Sequence, residues 1–357
     1  MRRATATNSP PPTVRPNCQP HCREVLPRRQ VWAWLIYLTL VILIARKPNG
    51  SILYDGRVPG GRIDVATVAR RLWDHNAPAM APDAHRPLAS LLIVAAAKVP
   101  GIGDLTTSYT VWRIIWLFGT VAVLQAWFSR FLSPIGVFAA ILWYLLGFAY
   151  AGFDGKPDGW LEQLCFAGGF LLATAQRPGW LALLMAAGTW ARESVVFLAG
   201  AYFLVNARRE NWTAVFVQSA WLVGAWCASW SVVHYLVGHT RYYSELWRLP
   251  RNVIGFLNYL REFWAINMGQ YLVVGIFGPL WVVPYLRSPR APDQLEKLKW
   301  LLPVSLVFTM QLAKLWEVRV FYYHAMYLIP LIFWKLFPEA RKTGVAPGRP
   351  KERTAEA

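Results

Sequence analysis

Residues 212–237 read WTAVFVQSAWLVGAWCASWSVVHYLV and follow the pair Arg208-Arg209. The run contains no Asp, Glu, Lys or Arg. It exceeds the ~20 apolar residues that cross a ~30 Å hydrocarbon layer. Similar blocks recur at Val31–Ala45, Val111–Phe128, Ile135–Tyr150, Gln270–Leu286 and Val320–Phe337. The 357 residues are 55% apolar and include 20 Trp, more than one soluble core of this length needs. Trp and Tyr gather at the block ends, as interfacial anchors do.

The formal net charge is +18. Its basic residues lie in the two tails and between apolar blocks, where the positive-inside effect puts them. That distribution argues against a nucleic-acid partner. Placing Lys and Arg loops on one side predicts ten crossings (range nine to eleven). They run about 30–46, 108–128, 134–150, 160–175, 179–190, 193–206, 212–237, 268–286, 300–313 and 320–337. Residues 87–99 are too short to span, and counting them would invert every later loop. They read as an outer juxtamembrane or re-entrant helix.

The predicted fold is therefore all-α, a polytopic transmembrane bundle over 30–337 in the plasma (inner) membrane. Its extracytoplasmic first loop, about 47–107, carries juxtamembrane helices. Residues 1–29 and 338–357 read as disordered cytoplasmic tails, and 1–29 lack the features of a cleaved signal peptide. Cys165 and Cys227 read as packing residues. Cys18, His21 and Cys22 lack the fourth ligand that structural zinc needs. The His residues are dispersed, so no metal site is expected. The sequon Asn211-Trp212-Thr213 falls on the inner side and is discounted.

Charges inside this apolar chain carry the functional signal. A charge at hydrocarbon depth costs roughly 2.5–3.5 kcal/mol on insertion scales, so it marks a wet cavity or a site. Asp55 follows Tyr54 and precedes Gly56 just past the first span. Arg192-Glu193 forms the vertex of two helices too short to span, which sinks the vertex below the outer surface. Asp158 and Glu162 are four apart and share a helix face. Glu317 and Arg319 precede the last span. All fall on the outer side. Each has a simpler reading: a solvated turn for Asp55, a structural ion pair for Arg192-Glu193, helix-dipole stabilisation for Asp158 and Glu162, snorkelling for Arg319. Within 64–73, Val65, Val68, Ala69 and Leu72 recur at helical spacing. That stretch is either an interfacial helix on lipid headgroups or part of a base-and-phosphate clamp.

The ordered set resembles the GT-C superfamily of multi-spanning glycosyltransferases. The matching elements are Tyr54-Asp55-Gly56, Arg86-Pro87-Leu88, Asp158 through Glu162, Ala191-Arg192-Glu193-Ser194, and Glu317-Val318-Arg319 before Pro330. The chain departs from the family pattern at Arg57, where relatives often have Gln, and at Val65, where a second acid would follow Asp64. The resemblance implies inverting transfer of a sugar from a polyprenyl-phosphate donor on the extracytoplasmic face. A glycan, lipid or protein would be the acceptor. It implies Asp55 as the base, with Asp64 in reserve. Arg192 and Arg319 would contact phosphate or sugar, and Arg86, Asp158, Glu162, Glu193 and Glu317 would line the cleft. No cofactor is implied; a divalent cation is possible but not indicated. A transporter or flippase, and a non-catalytic scaffold for envelope assembly, are the rival expectations.

Overall fold

The computed structural model describes residues 21–46, 64–77, 83–150, 156–238, 278–287, 289–312 and 322–344. Among them the chain is all-helical, with an isolated antiparallel bridge between Leu132 and Arg341 and no strand. The helices are α1 (His21–Ala45), α2 (Val65–Arg70), α3 (Pro87–Ala97), α4 (Leu105–Phe128), α5 (Pro134–Tyr150) and α6 (Pro157–Thr174). After them come α7 (Pro178–Thr189), α8 (Phe197–Asn206), α9 (Trp212–Val237), α10 (Asp293–Leu298), α11 (Leu301–Leu312) and α12 (Ala325–Leu336). Short 3₁₀ turns cover Asp83–His85, Glu193–Val196, Gly278–Tyr285 and Pro338–Ala340.

Helix starts follow local chemistry. Pro opens α3, α6 and α7, where its missing N–H is one that no helix satisfies anyway. Asp104 caps α4 by accepting from the Thr107 N–H at 2.8 Å. Asp64 does the same for α2, accepting from the Ala66 and Thr67 amides.

Among the described residues two helices are long and apolar enough to cross a membrane, α4 with 24 residues and α9 with 26. At 1.5 Å per residue they reach about 36 and 39 Å, beyond the ~30 Å hydrocarbon thickness. They sit differently in the bundle. α4 turns Trp116, Leu117, Val121 and Leu124 into the core. Only 17% of the α9 apolar window is buried, and Trp212, Phe216, Trp221 and Tyr235 stand exposed. Exposed apolar residues on several sides of one helix are consistent with a membrane or a partner around it.

The core lies between α4, α5, α6 and α12. Trp116, Trp127, Trp160, Tyr144 and Phe148 meet Tyr322, Tyr323 and Tyr327 there. Phe166 stacks on Tyr323 at 4.0 Å. α6 and α8 approach closely at Gly169, where an added Cβ would fall 2.4 Å from Leu198 Cδ1. That contact tucks the α7–α8 hairpin against α6.

Several boundaries differ from those expected. The first helix runs from His21, upstream of the start expected at about 30. Residues 338–344 lie against the α4–α5 turn. Ser133 N–H donates to the Ala340 carbonyl at 2.8 Å and Lys342 N–H to the Phe131 carbonyl at 3.0 Å. Gly136 admits that backbone, since a Cβ there would lie 2.7 Å from the Ala340 carbonyl oxygen. Residues 87–97 form the short helix expected of them, and α2 buries Val65, Val68 and Ala69 as its spacing predicts.

Candidate functional site

Three separate parts of the chain bring charge to one place. α6 contributes Asp158 in its first turn and Glu162 one turn further, on the same face. The α7–α8 hairpin contributes Arg192, whose extended backbone (φ −165°, ψ 138°) ends one helix before the next begins. The chain before α3 contributes Arg86. A backbone hydrogen bond from Leu88 N–H to the Trp190 carbonyl (3.0 Å) ties that chain to the hairpin.

Arg192 Nη1 donates to Glu162 Oε2 at 2.8 Å, and its Nε lies 4.0 Å from Asp158 Oδ2. Ser194 Oγ donates to the other Glu162 oxygen. Arg86 reaches Glu193 Oε2 at 2.9 Å and Asp158 Oδ2 at 3.3 Å. Asp158 therefore sits between two guanidinium groups. Beside this set Lys156 Nζ donates to Asp83 Oδ1 at 3.1 Å. Arg192 and Glu193 do not form the ion pair with each other that their adjacency suggested. Each takes its partner from another element.

Burial grades across the cluster. The Glu162 side chain is 1% exposed and Arg192 9%, while Arg86 is 14% and Glu193 26%. A cavity of about 10 Å³, room for roughly one water, is lined by Val68, Asp83, Arg86, Ser90, Pro157 and Asp158. α9 supports the hairpin from the side. Trp226 Nε1 donates to the Glu193 carbonyl at 3.1 Å, and Trp190 Nε1 donates to Ser229 Oγ at 3.1 Å. Trp226 precedes the end of α9 by eleven residues. The hairpin vertex is thus about 16 Å below that end at 1.5 Å per residue.

Three cations face four carboxylates in the described cluster, which leaves it one negative charge. Burial works against the Arg86 charge, but Glu193, Asp158 and Asp83 outweigh it and hold the guanidinium above its ordinary range. Paired groups of this kind bind an incoming ion only by exchanging partners. Arg86, the more exposed guanidinium and the one on the cavity wall, can exchange with least loss. Arg192 is locked by two carboxylates in a drier place.

Of the residues expected at the site, Arg86, Asp158, Glu162, Arg192 and Glu193 come together. Asp64 is engaged as the α2 cap, its second oxygen accepting from Thr67 Oγ at 2.6 Å. Asp55, Glu317 and Arg319 lie outside the described residues. Among the described residues no three His, Cys, Asp or Glu side chains are grouped to hold a metal ion.

Two buried charges, Arg113 and Lys335, were not singled out from the sequence. Arg113 in α4 is fully buried, with its guanidinium 4.2 Å from the Trp160 ring centroid and 5.4 Å from that of Tyr109. Its Nη2 donates to the Ile44 carbonyl at the end of α1 at 3.3 Å. Its signal was a lone guanidinium inside the block 111–128, masked by the apolar residues around it. The Lys156–Asp83 pair likewise had no distinguishing pattern, and Ser194 stood only as the last position of the Ala191–Ser194 element, with no role assigned to it. No protein-family model, curated protein or solved structure matches the chain.

Proposed function

We propose that this chain is a membrane glycosyltransferase of GT-C type, with about ten spans in the inner membrane and both termini in the cytoplasm. The convergence of Arg86, Asp158, Glu162, Arg192 and Glu193 from three chain segments is the observation that carries it. A polyprenyl-phosphate sugar lies in the bilayer with its phosphate at headgroup depth. A charged cleft sunk below one end of the helices meets it there, and the aromatic surface of α9 faces its lipid surroundings.

In the proposed reaction Asp55 takes the proton of an acceptor hydroxyl, with Asp64 as the reserve base. The hydroxyl oxygen attacks the anomeric carbon from the face opposite the phosphate. The bond between that carbon and the phosphate oxygen breaks, its electron pair leaves with the lipid phosphate, and the configuration inverts. Arg86 turns from Asp158 and Glu193 toward the leaving phosphate. Arg192 and Glu162 hold the floor beneath it, and Glu317 and Arg319 complete the cleft from the last span. Position in the chain favoured Arg192 and Arg319 for the phosphate; the deeper burial of Arg192 favours Arg86.

The wholly buried Glu162–Arg192 pair, some 16 Å below the end of α9, also suits a transporter or flippase of an anionic lipid-linked substrate. Reconstituted protein separates the two. It is incubated with radiolabelled polyprenyl-phosphate sugars and a membrane-lipid acceptor pool. The transferase should yield labelled product, Asp55→Asn should abolish it while donor binding persists, and Asp64→Asn should leave it. Movement of labelled lipid between leaflets without product would favour the transporter. Neither product nor lipid movement with the wild type would leave a scaffold, and product formation indifferent to Asp55→Asn would remove Asp55 as the base.

A further inference from the structure

Two imidazoles clip the Asp83–His85 turn to the end of α9. The His85 and His234 rings stack with centroids 4.0 Å apart and planes 21° from parallel. His234 rests in turn on Trp230, at 3.8 Å, with its Nδ1 2.9 Å from the Trp230 carbonyl oxygen. Ala84, Val233 and Val237 form a buried apolar patch beside the stack, packed by Leu72 and Trp190. The patch is separate from the main core, and the turn it anchors leads straight into Arg86.

We propose that this stack is a pH-sensitive latch: protonation of His85 splits the turn from α9 and draws Arg86 away from Glu193. Neutral rings stack without penalty, whereas a charge on His85 must be carried 4% exposed against a second ring. His234 and Arg86 oppose that charge, while Glu193 and a hydrogen bond to the Gly238 backbone favour it. The other charged groups nearby are engaged. Asp83 holds Lys156, and Arg71 donates to the Val237 and Ala77 carbonyls at 3.0 and 2.8 Å. His75 lies beside Gly238, where an added Cβ would be 2.8 Å from its Nδ1.

Burial first and His234 second hold His85 down at about 4, against an ordinary 6.5. Protons therefore bind the open latch more tightly than the closed one. The latch is whole above pH 6.5 and loses stability progressively as pH falls from 6.5 toward 4. On an extracytoplasmic face this range is reached whenever the medium acidifies. The consequence for sugar transfer rests on the function proposed above; the mechanics of the latch do not.

Hydrogen exchange on the full chain in nanodiscs tests it without any turnover. The probes are the Arg86 amide, bonded to the Asp83 carbonyl at 3.0 Å, and the Leu88 amide, bonded to the Trp190 carbonyl at 3.0 Å. After correction for the chemical exchange rate, their protection should fall about thirtyfold between pH 7.5 and pH 5. His85→Phe keeps a ring in the stack but cannot be charged, and should hold protection within about threefold of its pH 7.5 value. A flat wild-type profile overturns the latch, as does a full drop in His85→Phe. If that variant lacks protection even at pH 7.5, histidine-labelled NMR on the wild type decides. A His85 midpoint near 4 supports the latch, and one near 6.5 overturns it. Failure here leaves the transfer assay untouched, and failure of the transfer assay leaves this profile untouched.

Discussion

Glu162 and Arg192, thirty residues apart, close at 2.8 Å in a part of the bundle that excludes water. The pair joins α6 to the α7–α8 hairpin, so it is as much a strut as a piece of site. Removing one partner of a buried pair leaves the other charge without compensation, at roughly 3–5 kcal/mol. Glu162→Leu and Arg192→Met should each lower unfolding stability by about that amount, while the double variant should recover most of the loss. Denaturant titration in detergent reads this as a double-mutant cycle. Simple additivity of the two losses would show that the pair contributes no coupling.

Much of this architecture was legible in the chain. α4, α5 and α9 begin and end close to where apolar runs and basic residues put them, because run length and charge are local properties. The short helix of residues 87–97 was readable for the same reason. Asp158 and Glu162 were readable as one face because helical spacing is fixed. Their partners were not. Nothing local says that Arg86 crosses 107 positions to Glu193, or that Arg192 ignores its neighbour for Glu162. Arg113 was hidden by its own setting, since averaging over Val111–Phe128 dilutes one charge. The docking of residues 338–344 was not legible, because it uses backbone hydrogen bonds and the Arg341 and Lys342 side chains donating to the Trp334 and Ser129 carbonyls, contacts that leave no local pattern.

Arg86 serves two carboxylates at once, through Nε to Glu193 and Nη1 to Asp158. A planar fork can do this and a point ammonium cannot. Arg86→Lys keeps the charge and should still lower transfer from the polyprenyl-phosphate donor by roughly ten- to a hundredfold, the worth of one or two charge-assisted hydrogen bonds. Its melting temperature should shift little, because Leu88 remains bonded to Trp190. Wild-type transfer in Arg86→Lys would remove Arg86 from the site.

The sidedness of the ten-span topology turns on α3. Lys98 is exposed just past its end, and Glu210 is exposed between α8 and α9. In a chain lacking the four native cysteines, Lys98→Cys should react with an impermeant maleimide on intact cells. Glu210→Cys should react only after the inner membrane is opened. Protection of Lys98→Cys together with labelling of Glu210→Cys on intact cells would mean that residues 87–97 cross the bilayer and that every later loop is inverted.

Glu296 sits at the other end of the bundle from the charged cleft and holds the segment before α11 to the last helix. Its carboxylate accepts from Lys335 Nζ at 2.8 Å, from Lys299, and from the Ala291 N–H at 3.1 Å. Burial alone would raise its titration point. The donors of Lys299, Lys335 and Ala291 outweigh burial and hold it below the ordinary 4.5. A carboxyl depressed in the folded state adds stability above its unfolded value, and that stability is lost as pH falls through the folded one. Glu296→Gln should therefore lower the melting temperature near pH 7, and the gap from wild type should narrow once pH drops below about 4.5. Thermal scans in detergent at graded pH read both. A gap that stays constant down to pH 3 would mean that the loss comes from packing and not from the carboxylate charge.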